Sequence, residues 1–155
     1  MRRTITVTGC LAATFAVGVP ARADAAPSPV QGTVVRFSGN DVHVDVSIRS
    51  NHPTSRDFVS MLPLRLKLED LGGKEKISYL PRKLKTKGSP GSDPEDGDLI
   101  YYAPWGNLGF YYDASGIGFS RDTINLGSYR ASARRLARLQ RARVAVRVLR
   151  SGASS

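Results

Sequence analysis

Gly97-Asp-Leu-Ile-Tyr-Tyr-Ala-Pro-Trp-Gly-Asn-Leu-Gly-Phe-Tyr-Tyr112 holds the only tryptophan and four of the six tyrosines of this 155-residue chain. Ala103-Pro104-Trp105-Gly106 reads as a turn, because proline presets the angles of an early turn position and glycine accepts backbone angles closed to other residues. The flanking runs, residues 99–102 and 108–112, are aromatic and apolar and predict two paired strands. Rings gathered in this way supply apolar area with polar tips, the composition of a barrel core with one wet rim or of a pocket that grips a ligand. Interior packing is the ordinary fate of Leu99, Tyr101, Phe110 and Tyr112 in a small barrel. Trp105 and Asn107 sit at a strand end instead, where Asn107 either hydrogen-bonds the backbone or presents its amide to a ligand.

Working back from this block, residues 86–97 carry three glycines, two prolines and the acids Asp93, Glu95 and Asp96, and read as a surface loop. Residues 64–69 alternate, with Leu64, Leu66 and Leu68 on one side, and Gly72-Gly73 turns the chain into a partner strand at 76–80. Pro53-Thr54 opens a short helix over 55–62, with Thr54 as its expected N-cap and Phe58, Met61 and Leu62 at helical spacing. Residues 33–37 and 42–48 form a hairpin about Gly39-Asn40-Asp41, with Val42, Val44, Val46 and Ile48 on the buried face and His43, Asp45 and Ser47 on the other. Downstream lie a short apolar run at 123–126, a helix near 131–139 and a last strand at 143–149, with Val144, Val146 and Val148 sharing a face.

The first 25 residues have the pattern of a secretory signal: basic Arg2-Arg3, a mostly apolar stretch from Ile5 to Val19, and Ala23-Asp24-Ala25 as the site cut before Ala26. A lipidation motif around Cys10 is the weaker alternative, since the apolar run follows it rather than precedes it. Cleavage after Ala25 leaves a linker at 26–30, one domain over 31–150 and a tail at 151–155. Cys10 is the only cysteine, so the mature chain has no disulfide, thiolate metal site or cysteine nucleophile. Loss of Arg2, Arg3, Arg22 and Asp24 takes three positive charges and one negative from the formal +10, leaving +8.

The order strand, turn, strand, then Pro53-Thr54 and Phe58 in a short helix, is similar to the beginning of cyclophilins. Ser55-Arg-Asp-Phe-Val-Ser-Met-Leu-Pro-Leu64, Leu68-Glu-Asp-Leu71, Glu75-Lys-Ile-Ser-Tyr-Leu-Pro-Arg82 and Gly97-Asp-Leu-Ile-Tyr-Tyr-Ala-Pro-Trp-Gly-Asn107 resemble the small bacterial and archaeal cyclophilin-like proteins. Many short strands, two short helices and no internal repeat agree with what the resemblance implies, an all-β, closed cyclophilin-like barrel of about eight strands. Cyclophilins are prolyl isomerases, in which an arginine beside the proline amide eases rotation over a barrier of about 18–20 kcal/mol. Where an isomerase carries Phe-His-Arg and then a Gln-Gly-Gly-Asp run, this chain has Ile77-Ser-Tyr-Leu-Pro-Arg-Lys-Leu84, leaving Arg82 as the one counterpart.

Fold favours an isomerase and site chemistry disfavours it, so the reading preferred on sequence is a secreted binding module. Its expected cleft, for a small molecule or short peptide, is walled by Tyr79, Tyr101, Trp105, Asn107 and Tyr112 and edged by Arg82. No cofactor or metal is expected: the acids at 93–98 lack calcium-loop spacing, and there are two histidines. Gly118-Phe-Ser-Arg-Asp122 falls short of a hydrolase nucleophile elbow. Eight arginines between Arg130 and Arg150, with no acid among them, read as a solvated face. No specific nucleic-acid partner is expected of a monomer exported in this way; weak contact with anionic cell-surface polymers is the remaining role for the basic end.

Overall fold

Alternation of apolar and polar residues sets nearly every element. The computed structural model describes residues 29–152; the residues expected to form a secretory signal, Cys10 among them, lie outside these. Two antiparallel strands, β1 (Val34–Gly39) and β2 (Val42–Ile48), form the first hairpin. Asn40 turns it at φ 51°, a left-handed angle that asparagine tolerates better than most residues. Val42, Val44, Val46 and Ile48 are buried and His43 and Ser47 exposed, as the alternation requires. Helix α1 (Pro53–Ser60) starts two residues before the expected position. His52, not Thr54, caps it, its Nδ1 accepting from the Ser55 N–H at 3.2 Å. Thr54 is buried and donates instead to the Lys85 carbonyl, which ties the helix to the irregular segment after residue 80.

The run 64–69 breaks into two short strands, β3 (Leu64–Leu66) and β4 (Glu69–Leu71), followed by β5 (Glu75–Tyr79). The aromatic block forms β6 (Asp98–Tyr102) and β7 (Asn107–Tyr111) around the expected turn. Then come β8 (Thr123–Tyr129), helix α2 (Ala133–Gln140), capped by the Ser132 hydroxyl, and β9 (Val144–Arg150). All nine strands join one antiparallel sheet in the order β3-β9-β1-β2-β8-β6-β7-β5-β4.

This corrects the expected closed barrel of about eight strands: the sheet is a nine-stranded half-barrel whose edges, β3 and β4, do not pair. The physical reason lies in the chain itself. One segment supplies both edges, and only Lys67 and Leu68 separate them, so the sheet is bridged by covalent continuity where a ladder is missing. Leu68 turns inward at this seam and is 1 % exposed, while Lys67 faces solvent.

Inside, Phe37 meets Phe110 edge to face at 4.9 Å, and Phe110 meets Tyr129 at 5.3 Å. Phe58 of α1 and Leu136 and Leu139 of α2 enter the same core. Val144 and Val146 join it, but Val148 does not; at 38 % exposure it lies beyond the covered part of β9.

Leu68→Ala removes the apolar anchor of the seam and should lower unfolding free energy by about 2–5 kcal/mol, the usual range for a fully buried leucine. Lys67→Ala next to it should stay within about 0.5 kcal/mol of the parent. Urea denaturation followed by circular dichroism reads both changes.

Candidate functional site

The register of β5, β6, β7 and β8 divides their side chains into two rows. Leu99 pairs with Phe110 and Tyr101 with Leu108, and all four are fully buried toward the core. The pairs between them face outward: Ile100 with Gly109 and Tyr102 with Asn107 on β6 and β7, then Glu75 with Tyr111, Ile77 with Gly109 and Tyr79 with Asn107 on β5 and β7. Part of this outer row becomes the floor of a cleft of about 300 Å3. Tyr102, Trp105 and Tyr111 wall it, and Ile117 and Gly118 from the segment after β7 form the opposite rim. The Ser92–Ser120 bridge holds that segment against the preceding loop.

Trp105 is placed by the turn. Gly106, at φ 71°, donates its N–H to the Tyr102 carbonyl at 2.9 Å, and the indole stands edge to face on Tyr102 with centroids 5.6 Å apart. The indole is 51 % exposed.

Two acceptors lie in the floor. Asn107 is 2 % exposed and its Oδ1 has no hydrogen-bond partner. The only other such atom among the described residues, Ser78 Oγ, lies in the inward row opposite Leu108. Glu75 lies across Gly109: a Cβ there would stand 2.2 Å from Glu75 Oε2, so the missing side chain is what makes room for the carboxylate. Burial raises the Glu75 pKa, opposed by the Tyr111 hydroxyl facing it, and burial with the Glu75 charge pushes Tyr111 up to about 12. Glu75 is absent from the five ion pairs among the described residues.

Of the six residues expected in one cleft, Trp105 and Asn107 are brought together and the other four are not. Tyr101 points into the core, where its hydroxyl accepts the Leu84 N–H at 3.0 Å. Tyr112 also turns to the inward side, packs against the core and donates to Asp70. Tyr79 is on the outer row and 57 % exposed, but lines a shallow depression at the seam with Lys67 and Arg143. Arg82 grips Asp57 of α1 with both arms, at 2.8 and 2.9 Å, and that carboxylate also accepts the Lys85 N–H. The Arg82 hydrogen bond holds the Asp57 carboxyl below its ordinary range, with the Lys85 N–H adding to it. Arg82 therefore fastens a helix to a loop and is not part of the cleft lining.

Sequence reading missed Glu75, Tyr102, Gly109 and Tyr111. The signal for three of them was the period of two: once Leu99, Leu108 and Phe110 point inward, Tyr102, Gly109 and Tyr111 must point outward. Glu75 becomes visible only with the β5–β7 register. The acids near 93–98 bond backbone, with Asp98 accepting the Glu95 N–H and Asp96 the N–H of Ala114 in the segment after β7. No group of three His, Cys, Asp or Glu is placed to hold a metal among the described residues, and no helix there is long and apolar enough to cross a membrane.

The family model described as the cyclophilin-like family matches residues 35–149, and the chain belongs to that family. No curated protein and no solved structure matches it.

Arg82→Ala should lower the urea midpoint at neutral pH by leaving buried Asp57 without its cation. A carboxyl whose folded pKa is depressed contributes stability in full above its unfolded pKa of about 3.9 and loses it as pH falls through the folded value. The gap between parent and variant should therefore close in acid; an undiminished gap would contradict the structural role of the pair.

Proposed function

We propose that this cyclophilin-like protein is an exported binding module that holds a small molecule or a short peptide segment in the outer-face cleft. The observation that carries this reading is the meeting, in one concavity, of the half-exposed indole of Trp105 with a buried Asn107 oxygen that has no partner. Native structures seldom leave a buried polar atom unpaired, and a ligand donor is the natural complement. Apolar walls with a few convergent polar groups are also the usual make-up of a ligand site. Export is supported by the sequence pattern of the first 25 residues.

Prolyl isomerisation is the second reading, favoured by the family. Against it, the arginine that would face a proline amide is occupied: Arg82 is held bidentately by Asp57. A basic face adds a possible surface role, since Arg130, Arg134, Arg135, Arg141, Arg143, Arg147 and Arg150 are exposed and outside the ion pairs. Binding through that face should weaken steeply between low and physiological salt, whereas cleft binding should not.

NMR with short Ala-Pro and Gly-Pro peptides separates the readings. The expected result is shift changes at the Trp105 indole and Asn107 amide without accelerated cis/trans exchange; exchange abolished by Arg82→Ala would establish the isomerase instead. Trp105→Ala should weaken whatever binds there by about tenfold, roughly 1.4 kcal/mol, without shifting the melting temperature. Mass spectrometry of the exported protein should find Ala26 at its N-terminus.

A further inference from the structure

We infer that the cleft selects ligands bearing a primary ammonium group, seated between the Glu75 carboxylate and the Asn107 side-chain oxygen with its apolar body against Trp105 and Tyr102. The inference rests on the reading of this cleft as the binding site and adds the chemical class of its occupant.

Four observations lead to it. First, the floor offers acceptors: a carboxylate and an amide oxygen without a partner. Anions meet repulsion there, while an ammonium brings three donors and no acceptor. Second, Glu75 is partly buried and has no lysine or arginine within ion-pair distance. A partly buried carboxylate without a countercharge is costly, and a bound cation removes that cost. Third, the carboxylate lies over a glycine. Gly109 is the notch that lets it lie over β7 between the outward positions of Tyr111 and Asn107, and any side chain at 109 meets Glu75 Oε2 at 2.2 Å. Asn107 is the next outward position on that strand, about 7 Å further along the backbone, and its side chain lines the same cleft as the carboxylate. Fourth, Tyr102 and Trp105 stand edge to face beside them and offer ring surface suited to a cationic or apolar body.

The loop carrying Asp93, Glu95 and Asp96 is tied to the cleft's rim segment by the Ser92–Ser120 bridge and by the Asp96 bond to Ala114, whereas eight of the arginines lie between 130 and 150. A volume of about 300 Å3 fits one small amine or a single lysine side chain of a peptide.

The test titrates the full chain with phenethylamine, its neutral isostere 2-phenylethanol and its anionic isostere 3-phenylpropanoate, reading fluorescence of Trp105, the sole tryptophan. The amine should bind at least tenfold more tightly than the alcohol, and the anion more weakly than both. Glu75→Gln should erase the preference for amine over alcohol. Gly109→Ala, which displaces the carboxylate without removing its charge, should reduce the same preference. Nα-acetyl-lysine amide binding as tightly as phenethylamine would assign the amine to a peptide side chain; weaker binding would assign it to a free small molecule. Alcohol and amine binding equally at Trp105, or Glu75→Gln keeping the preference, would overturn the ammonium assignment and leave the cleft a binding site. No response of Trp105 to any of the probes would overturn both.

Discussion

The edge-to-face packing of Phe37 on Phe110, extended to Tyr129, fills the interior of the half-barrel and decides where function can lie. Phe37, Tyr101 and Phe110 have no exposed surface, so the interior is a core and not a vessel. Strand alternation then sends every second residue of the aromatic block outward, and the outer face of β5, β7, β6 and β8 becomes the surface on which a ligand can be held. The core also reaches out to fix what surrounds it. Tyr101 accepts the Leu84 N–H, and Tyr129 donates to the carbonyl of Tyr111, a cleft residue, at 2.6 Å.

A barrel with a missing ladder must be held together by other means. The two edge strands are one stretch of chain, with Leu68 buried where it crosses from one edge to the other. Helix α1 is fastened separately, through Asp57 to Arg82 and Lys85 and through Thr54 to Lys85. Arg82, the counterpart of an isomerase arginine, is thus spent on architecture, while the Asn107 oxygen in the outer cleft has no partner. The ion pair at α1 is satisfied within the fold, whereas the amide oxygen beside Trp105 is not.

Much of the architecture was legible in the sequence because it rests on local signals. The valine alternation in 42–48 and the Pro-Trp-Gly turn each specify an element almost unaided. The break of 64–71 into two edges was not legible, since Leu64, Leu66 and Leu68 alternate as a single strand would, and only the overall sheet order shows that the segment changes partners. The site was half legible. Trp105 and Asn107 announce themselves at a turn, but Tyr101 and Tyr112 share their composition with Tyr102 and Tyr111, and only the side of the sheet separates them. Thr54 likewise resembled a cap more than His52 did, until the Lys85 carbonyl claimed its hydroxyl. Arg82 was drawn toward the cleft by its place in the chain, whereas a buried aspartate on a helix claimed it in space.

The central claim is that the interior is packed and the ligand binds outside, at Trp105. Difference density from a crystal of the protein soaked with phenethylamine tests it most directly. The expected result is an amine nitrogen within hydrogen-bond distance of Glu75 and Asn107, with the ring beside Trp105. Density within the barrel between Phe37 and Phe110, or beside Arg82 with its bond to Asp57 broken, would contradict it.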